Sequence, residues 1–178
     1  MRLERLPEYV KRHGLKSSLG HGAYAVAERV VGFKAMRGMT LRVEDIDPKY
    51  LGEVAPFTCH RAGAQEFSQL PGAADLAVPA FYEGAAQRGD WSYYVLDGET
   101  IASYGWYSTG AVPVVGDRSI SFSPRFVYMY KGFTLPEHRG RQLHAYGMAH
   151  AAAGSVAQGY EGLISYVEIL NDGSLRLV

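Results

Sequence analysis

The chain has a single cysteine, Cys59, among its 178 residues, so no disulfide can form within it. A fold without cross-links suits a reducing compartment, and a cytoplasmic location is the expectation. Charge of one sign is also missing: 18 Lys and Arg stand against 18 Asp and Glu. Nonspecific binding to nucleic acid draws on a basic excess or stripe, so no nucleic-acid partner is expected. No run reaches the roughly 18–20 apolar residues that a membrane-spanning helix needs. The opening Met1-Arg-Leu-Glu-Arg-Leu-Pro7 is too charged for a secretion signal. His13, His21, His60, His138 and His150 lack metal-ligand spacing, and neither a Walker loop nor a Gly-x-Ser-x-Gly elbow occurs. No metal is expected.

What remains is an ordinary globular composition, 47% apolar and 20% charged, long enough for one domain with an extension. Residues 1–50 read as an accessory helical extension and 51–178 as the main domain. Leu3, Leu6, Tyr9 and Val10 have helical spacing, and a second helix is expected from Ala23 to about Met36. Val43-Glu-Asp-Ile-Asp-Pro48 is turn-prone and reads as a linker. From Phe57 the pattern becomes strand-like to Arg61, then helical at 64–70 and again at 78–87. Trp91–Leu96 and Glu99–Tyr107 flank Asp97-Gly98, which predicts a hairpin closed by a type I′ turn. The aromatic residues there, Trp91, Tyr93, Trp106 and Tyr107, suit a core or an acceptor cleft, and Cys59 suits the core.

A further strand is expected to end at Phe133, with Tyr128 and Tyr130 on one face and Lys131 on the other. It leads into Thr134-Leu-Pro-Glu-His-Arg-Gly-Arg-Gln-Leu-His144, after which a helix runs from Arg141 to about Gln158 and stops at Gly159. A strand, a Gly-containing loop and a helix N-terminus together present free N–H groups and the positive end of a helix dipole. Arg139 and Arg141 add fork-shaped cations suited to phosphate oxygens. Leu163–Ile169 is the next strand, followed by an Asn171-Asp-Gly173 turn. The order β-α-α-β-β-β-α-β implies an α/β chain with a mixed sheet and helices on both faces.

Pro136-Glu-His-Arg-Gly-Arg-Gln-Leu-His144 resembles the pyrophosphate loop of the GCN5-related N-acetyltransferase (GNAT) family, in its frequent form Pro-Glu-aromatic-Arg-Gly-x-Gly-x-Gly. Val167-Glu-Ile-Leu-Asn171-Asp-Gly-Ser174 is similar to that family's fifth strand and the entry to its fourth helix. The resemblance covers about residues 57–178. It implies a GNAT-like acyl-CoA N-acyltransferase fold and transfer of an acetyl group from acetyl-CoA to an amine, carried on a small molecule or a peptide.

By the same resemblance, Phe133 and Thr134 would pair with the pantetheine arm. The amides of Arg139, Gly140, Arg141, Gln142, Leu143 and His144 would hold the pyrophosphate, and Asn171 would contact the pantetheine. Gln142 and His144 stand where the family has small residues. The family's carboxylate on the fourth strand has no counterpart in 126–133, which leaves Glu168 and Tyr130 as candidate catalytic groups. The family's Tyr seven residues after the Asn is replaced by Val178. The sequence stops before the last two strands of the family's sheet, and reads as a C-terminal truncation. The N-terminal helices or a second chain, as in a homodimer, are the alternatives for filling that gap. A catalytically degenerate module that binds CoA or a protein partner without acyl transfer is the rival reading.

Overall fold

In the computed structural model, the residues described are 36–114 and 118–168. The strands are β1 (Met36–Leu41), β2 (Phe57–Gly63), β3 (Trp91–Asp97), β4 (Thr100–Ser108), β5 (Val112–Pro113), β6 (Ser119–Ile120), β7 (Phe126–Thr134) and β8 (Gly162–Glu168). The helices are α1 (Ala64–Ser68), α2 (Ala73–Leu76), α3 (Pro79–Arg88) and α4 (Leu143–Val156). Six strands form one sheet in the order β1-β8-β7-β4-β3-β2, and β5 and β6 pair separately. By packing, the described residues fall into two compact units, 36–37 with 167–168 and 38–166. The second carries nearly all the described residues.

Local chemistry sets most boundaries. Pro79 opens α3 at its first turn, where a missing N–H costs nothing, and Gly89 ends it at φ 73°. Alanine and glycine dominate α4, letting it lie close on the sheet; Gly147 is near Val95. Its packing face joins Trp91, Tyr107, Val127, Met129 and Leu163 to Met148, Ala149 and Ala152. On the opposite face α1–α3 bury Phe67, Tyr82 and Ala85 against Tyr94, Tyr104 and Trp106. Helices therefore cover both faces, as the element order implied. Of the hairpin aromatics, Trp91, Trp106 and Tyr107 are core residues, and Tyr93 is half-buried. Cys59 is half-buried against the third apolar cluster.

Several expectations need correction. The hairpin is present, but Asp97 pairs with Thr100, so its two turn residues are Gly98 and Glu99. Gly98 has φ 61° and Glu99 no positive φ, the pattern of a type II′ turn with Gly first rather than a type I′ turn. Met36 opens a strand instead of closing a helix; the expected helices before it lie outside the described residues. The turn-prone linker forms two short 3-10 turns, Val43–Asp45 and Pro48–Tyr50. β1 stands beside β8, so β8 is not the sheet's edge, and a strand rather than a helix from the N-terminal segment takes the position next to it. Leu41 lies against Gly162 and Gly38 against the Tyr166 ring, contacts that run in opposite chain directions.

Candidate functional site

β7 is antiparallel to β4 on one side and parallel to β8 on the other. The parallel register covers only Phe126↔Gly162, Val127↔Leu163 and Tyr128↔Ile164. Among the described residues, no pairing on that side continues from Met129 to Thr134, so the two strands part beyond Tyr128. On the β4 side the ladder skips: Tyr104 faces Phe133, whereas Trp106 faces Tyr130. One residue of β4, Gly105, therefore opposes two of β7, Lys131 and Gly132. This is a β-bulge, and Lys131 takes φ 50° within it.

The bulge overturns the expected alternation. Lys131 was expected on the face opposite Tyr130, but its Nζ sits 3.9 Å from the centre of the Phe81 ring. Phe81 belongs to α3, and its ring also neighbours Tyr130. Both side chains thus lie toward α1–α3. Burial pulls the Lys131 ammonium below its ordinary pKa.

Tyr130 leads into this bulge, and its hydroxyl is tied down. It donates to Asp90 Oδ2 across 2.6 Å and accepts from Arg88 Nη2 at 3.2 Å. Arg88 Nε donates to the same Asp90 oxygen at 2.8 Å. The Asp90 side chain has no exposed surface. Burial first, then the hydrogen bond to Asp90, pushes the Tyr130 phenol well above its usual range. Asp90 was not among the residues the sequence singled out. Its one sequence signal is a carboxylate just after a helix-stopping glycine and just before a strand of core residues.

At the far end of β7, Ser103 Oγ donates to Phe133 O at 3.1 Å and lies 3.0 Å from Thr134 Oγ1. Phe133 is exposed. A 3-10 turn, Pro136–His138, then carries the chain to the loop. Arg139 folds back, its Nε donating to Thr134 O at 3.2 Å and its guanidinium lying 5.5 Å from the Phe133 ring centre. Arg141 leans instead toward Asp97 and the Phe57 ring. The two arginines therefore flank the loop with different protein partners and do not form one fork.

Gly140 has φ 80° and Gln142 φ 58°, two left-handed residues that swing the chain into α4. Gln142 is the N-cap but makes no side-chain cap. Among the described residues, the N–H groups from Gly140 to Ala145 donate to no backbone oxygen. Those of Leu143, His144 and Ala145 also carry the dipole of a 14-residue helix. The His144 ring lies against Gly132 of the bulge. The side chain that stands where the family has a small residue is thus packed on the sheet. Leu143 is core. Glu168 is the last residue of β8, and Asn171 lies outside the described residues. No group of His, Cys, Asp and Glu among the described residues is arranged to hold a metal ion. No described helix is long and apolar enough to cross a membrane.

No family model matches the chain, and no curated protein matches it. Solved structures do. A protein of Novosphingobium aromaticivorans described as a GNAT-family acetyltransferase aligns at 19% identity and TM-score 0.47, over 67% of this chain and 48% of that one. The chain thus spans about half the length of that structure. An aminoglycoside acetyltransferase from an uncultured soil sample aligns at 12% identity and TM-score 0.46, over 68% and 88%. A tandem GNAT protein from the clavulanic acid biosynthesis pathway aligns at 13% identity and TM-score 0.49, over 99% and 66%. In its own topology, an antiparallel run β2-β3-β4-β7 followed by a loop, α4 and a strand, β8, parallel to β7, the chain has a mixed α/β fold.

Proposed function

We propose that this chain is an acyltransferase that uses acetyl-CoA and transfers its acetyl group to an amine. The observation that carries this reading is the run of free N–H groups from Gly140 to Ala145 beside the point where β7 and β8 part. Such a run suits a pyrophosphate, because it offers several donors and a helix dipole without needing a counter-cation. The His144 ring, turned onto the sheet, leaves the loop backbone clear for a phosphate to approach. The exposed Phe133 and the Thr134 end of β7 would line the arm that joins phosphate to thioester.

Acetyl-CoA would supply the thioester as the activated acyl group. The chain contributes binding and orientation, which are worth most when two reactants must meet in one geometry. A bulge frees backbone groups of β7 from the ladder, and an N–H there would polarise the thioester carbonyl. In the transfer, the amine nitrogen bonds to the carbonyl carbon, the carbon–sulfur bond breaks, and the sulfur leaves with the electron pair. The amine's excess proton needs an acceptor, and Glu168 is the carboxylate we propose for it.

Tyr130 is a poor proton donor to the departing sulfur while its own proton is held by Asp90. That observation also favours the second reading, a chain that binds CoA without transferring an acyl group. Release of free thiol from acetyl-CoA, followed with a panel of primary amines, separates the two. Amine-dependent release above the rate without protein supports transfer. CoA binding without any such release supports the degenerate module. The compartment we propose is the cytoplasm.

A further inference from the structure

The first turn of α4 and the bulge of β7 meet at one contact. A Cβ built on Gly132 would overlap Cε1 of the His144 ring and lie 2.9 Å from its Nε2. Only a residue without a side chain leaves room for that ring. His144 belongs to the stretch whose backbone N–H groups face the loop, while its side chain bears on the bulge. The two ends of the candidate site are therefore joined through one residue. Burial pulls the imidazole below its ordinary pKa, which favours the uncharged ring, and its contact with Gly132 is one of shape.

We propose that His144 is a positioning residue that braces the Lys131–Gly132 bulge from the phosphate-binding turn, holding the bulge amides in register with the loop. The inference rests on the acyl-CoA reading above. It assigns His144 a role beyond holding phosphate: it fixes how the acetyl end of the ligand meets the bulge relative to its phosphate end. The Lys131 backbone at φ 50° is strained for a residue with a side chain, and such strain persists only where surrounding packing enforces it. The His144 ring supplies that packing from the α4 side. The residue that departs from the family's small-residue pattern and the glycine in the bulge are thus a matched pair.

The test compares CoA with acetyl-CoA, which share the phosphate end and differ only at the acetyl group. Calorimetry on the full chain measures CoA and acetyl-CoA binding to the parent and to His144→Ala. The same variant should lose preference for acetyl-CoA by roughly three- to tenfold, the effect of misaligning one hydrogen bond. His144→Phe, which keeps a ring of similar shape, should retain the preference. Gly132→Ala should unfold at lower temperature than the parent, and the double variant Gly132→Ala, His144→Ala should recover part of that loss. Equal weakening of CoA and acetyl-CoA by His144→Ala would overturn the proposal, because His144 would then serve the phosphate end alone. Additive, unrescued losses in the double variant would also overturn it. If the parent binds neither ligand but the suppression holds, the acyl-CoA reading fails and the contact is structural only.

Discussion

Tyr130 and Asp90 are joined by a 2.6 Å hydrogen bond in which the phenol donates to a carboxylate with no exposed surface. Arg88 completes the cluster from the end of α3, so one oxygen of Asp90 takes three donors. Removing Arg88 would leave a buried carboxylate without its counter-charge. We expect Arg88→Ala to cost about 3 kcal/mol, the low end for breaking a buried pair, since Arg88 is partly exposed. Tyr130→Phe removes one neutral donor and leaves the ion pair intact, so about 1–2 kcal/mol is expected. Urea denaturation of both variants checks the order; a larger loss for Tyr130→Phe would contradict it.

Gln142 carries a left-handed backbone at the entrance to α4 without making a cap. For a residue with a Cβ this conformation costs about 1–2 kcal/mol, and glycine removes that cost at some loss of chain entropy in the unfolded state. Gln142→Gly is expected to stabilise the protein by roughly 0.5–1 kcal/mol. Thermal or urea unfolding measures it, and a loss of stability would show that the Gln142 side chain makes an interaction of its own.

His144 and His150 are both held below their ordinary pKa by burial. Their folded-state values lie below the unfolded value of 6.5, so the unfolded chain binds more protons as pH falls past that point. Stability from these groups is complete above that value and is lost as pH drops toward their folded values. We expect unfolding free energy to fall between pH 7 and about pH 5.5, before carboxylates titrate. His144→Phe should flatten that slope in part, leaving the share due to His150. An unchanged slope would show that His144 does not contribute.

The Cys59 thiol is pushed up to about 12 by burial, the opposite of an activated nucleophile. A disulfide reagent at pH 8 should label it slowly in the folded chain and rapidly in denaturant. Fast labelling of the folded chain would contradict its place against the core.

Much of this was legible in the sequence because the signals are local. The strand runs on either side of Asp97, the stops at Gly89 and Gly159, and the strand–loop–helix unit at 126–156 all follow from neighbouring residues. What escaped depends on distant pairing. The bulge exists because Gly105 of β4 faces both Lys131 and Gly132, and nothing within Phe126–Phe133 announces it. The same event turned Lys131 to the side of Tyr130. Asp90 looked like a loop residue because its partner Tyr130 is 40 positions away. β1 went unread as a strand because Met36-Arg-Gly-Met-Thr-Leu41 has no clean alternation; its burial is mostly exposed with two partly covered positions. The hairpin turn moved by one residue because Asp97 extends the ladder to Thr100.

The central claim is that the loop entering α4 binds the pyrophosphate of coenzyme A through its backbone. The most direct measurement is calorimetric titration of CoA into the full chain and into Gly140→Ala. Gly140 has φ 80° and open space around its Cα, so alanine there strains the loop backbone without a packing clash. We predict saturable one-to-one binding to the parent and at least about tenfold weaker binding to Gly140→Ala, corresponding to about 1.4 kcal/mol, with the melting temperature lowered only modestly. Binding of equal strength to both proteins, or no binding to a well-folded parent, would contradict it.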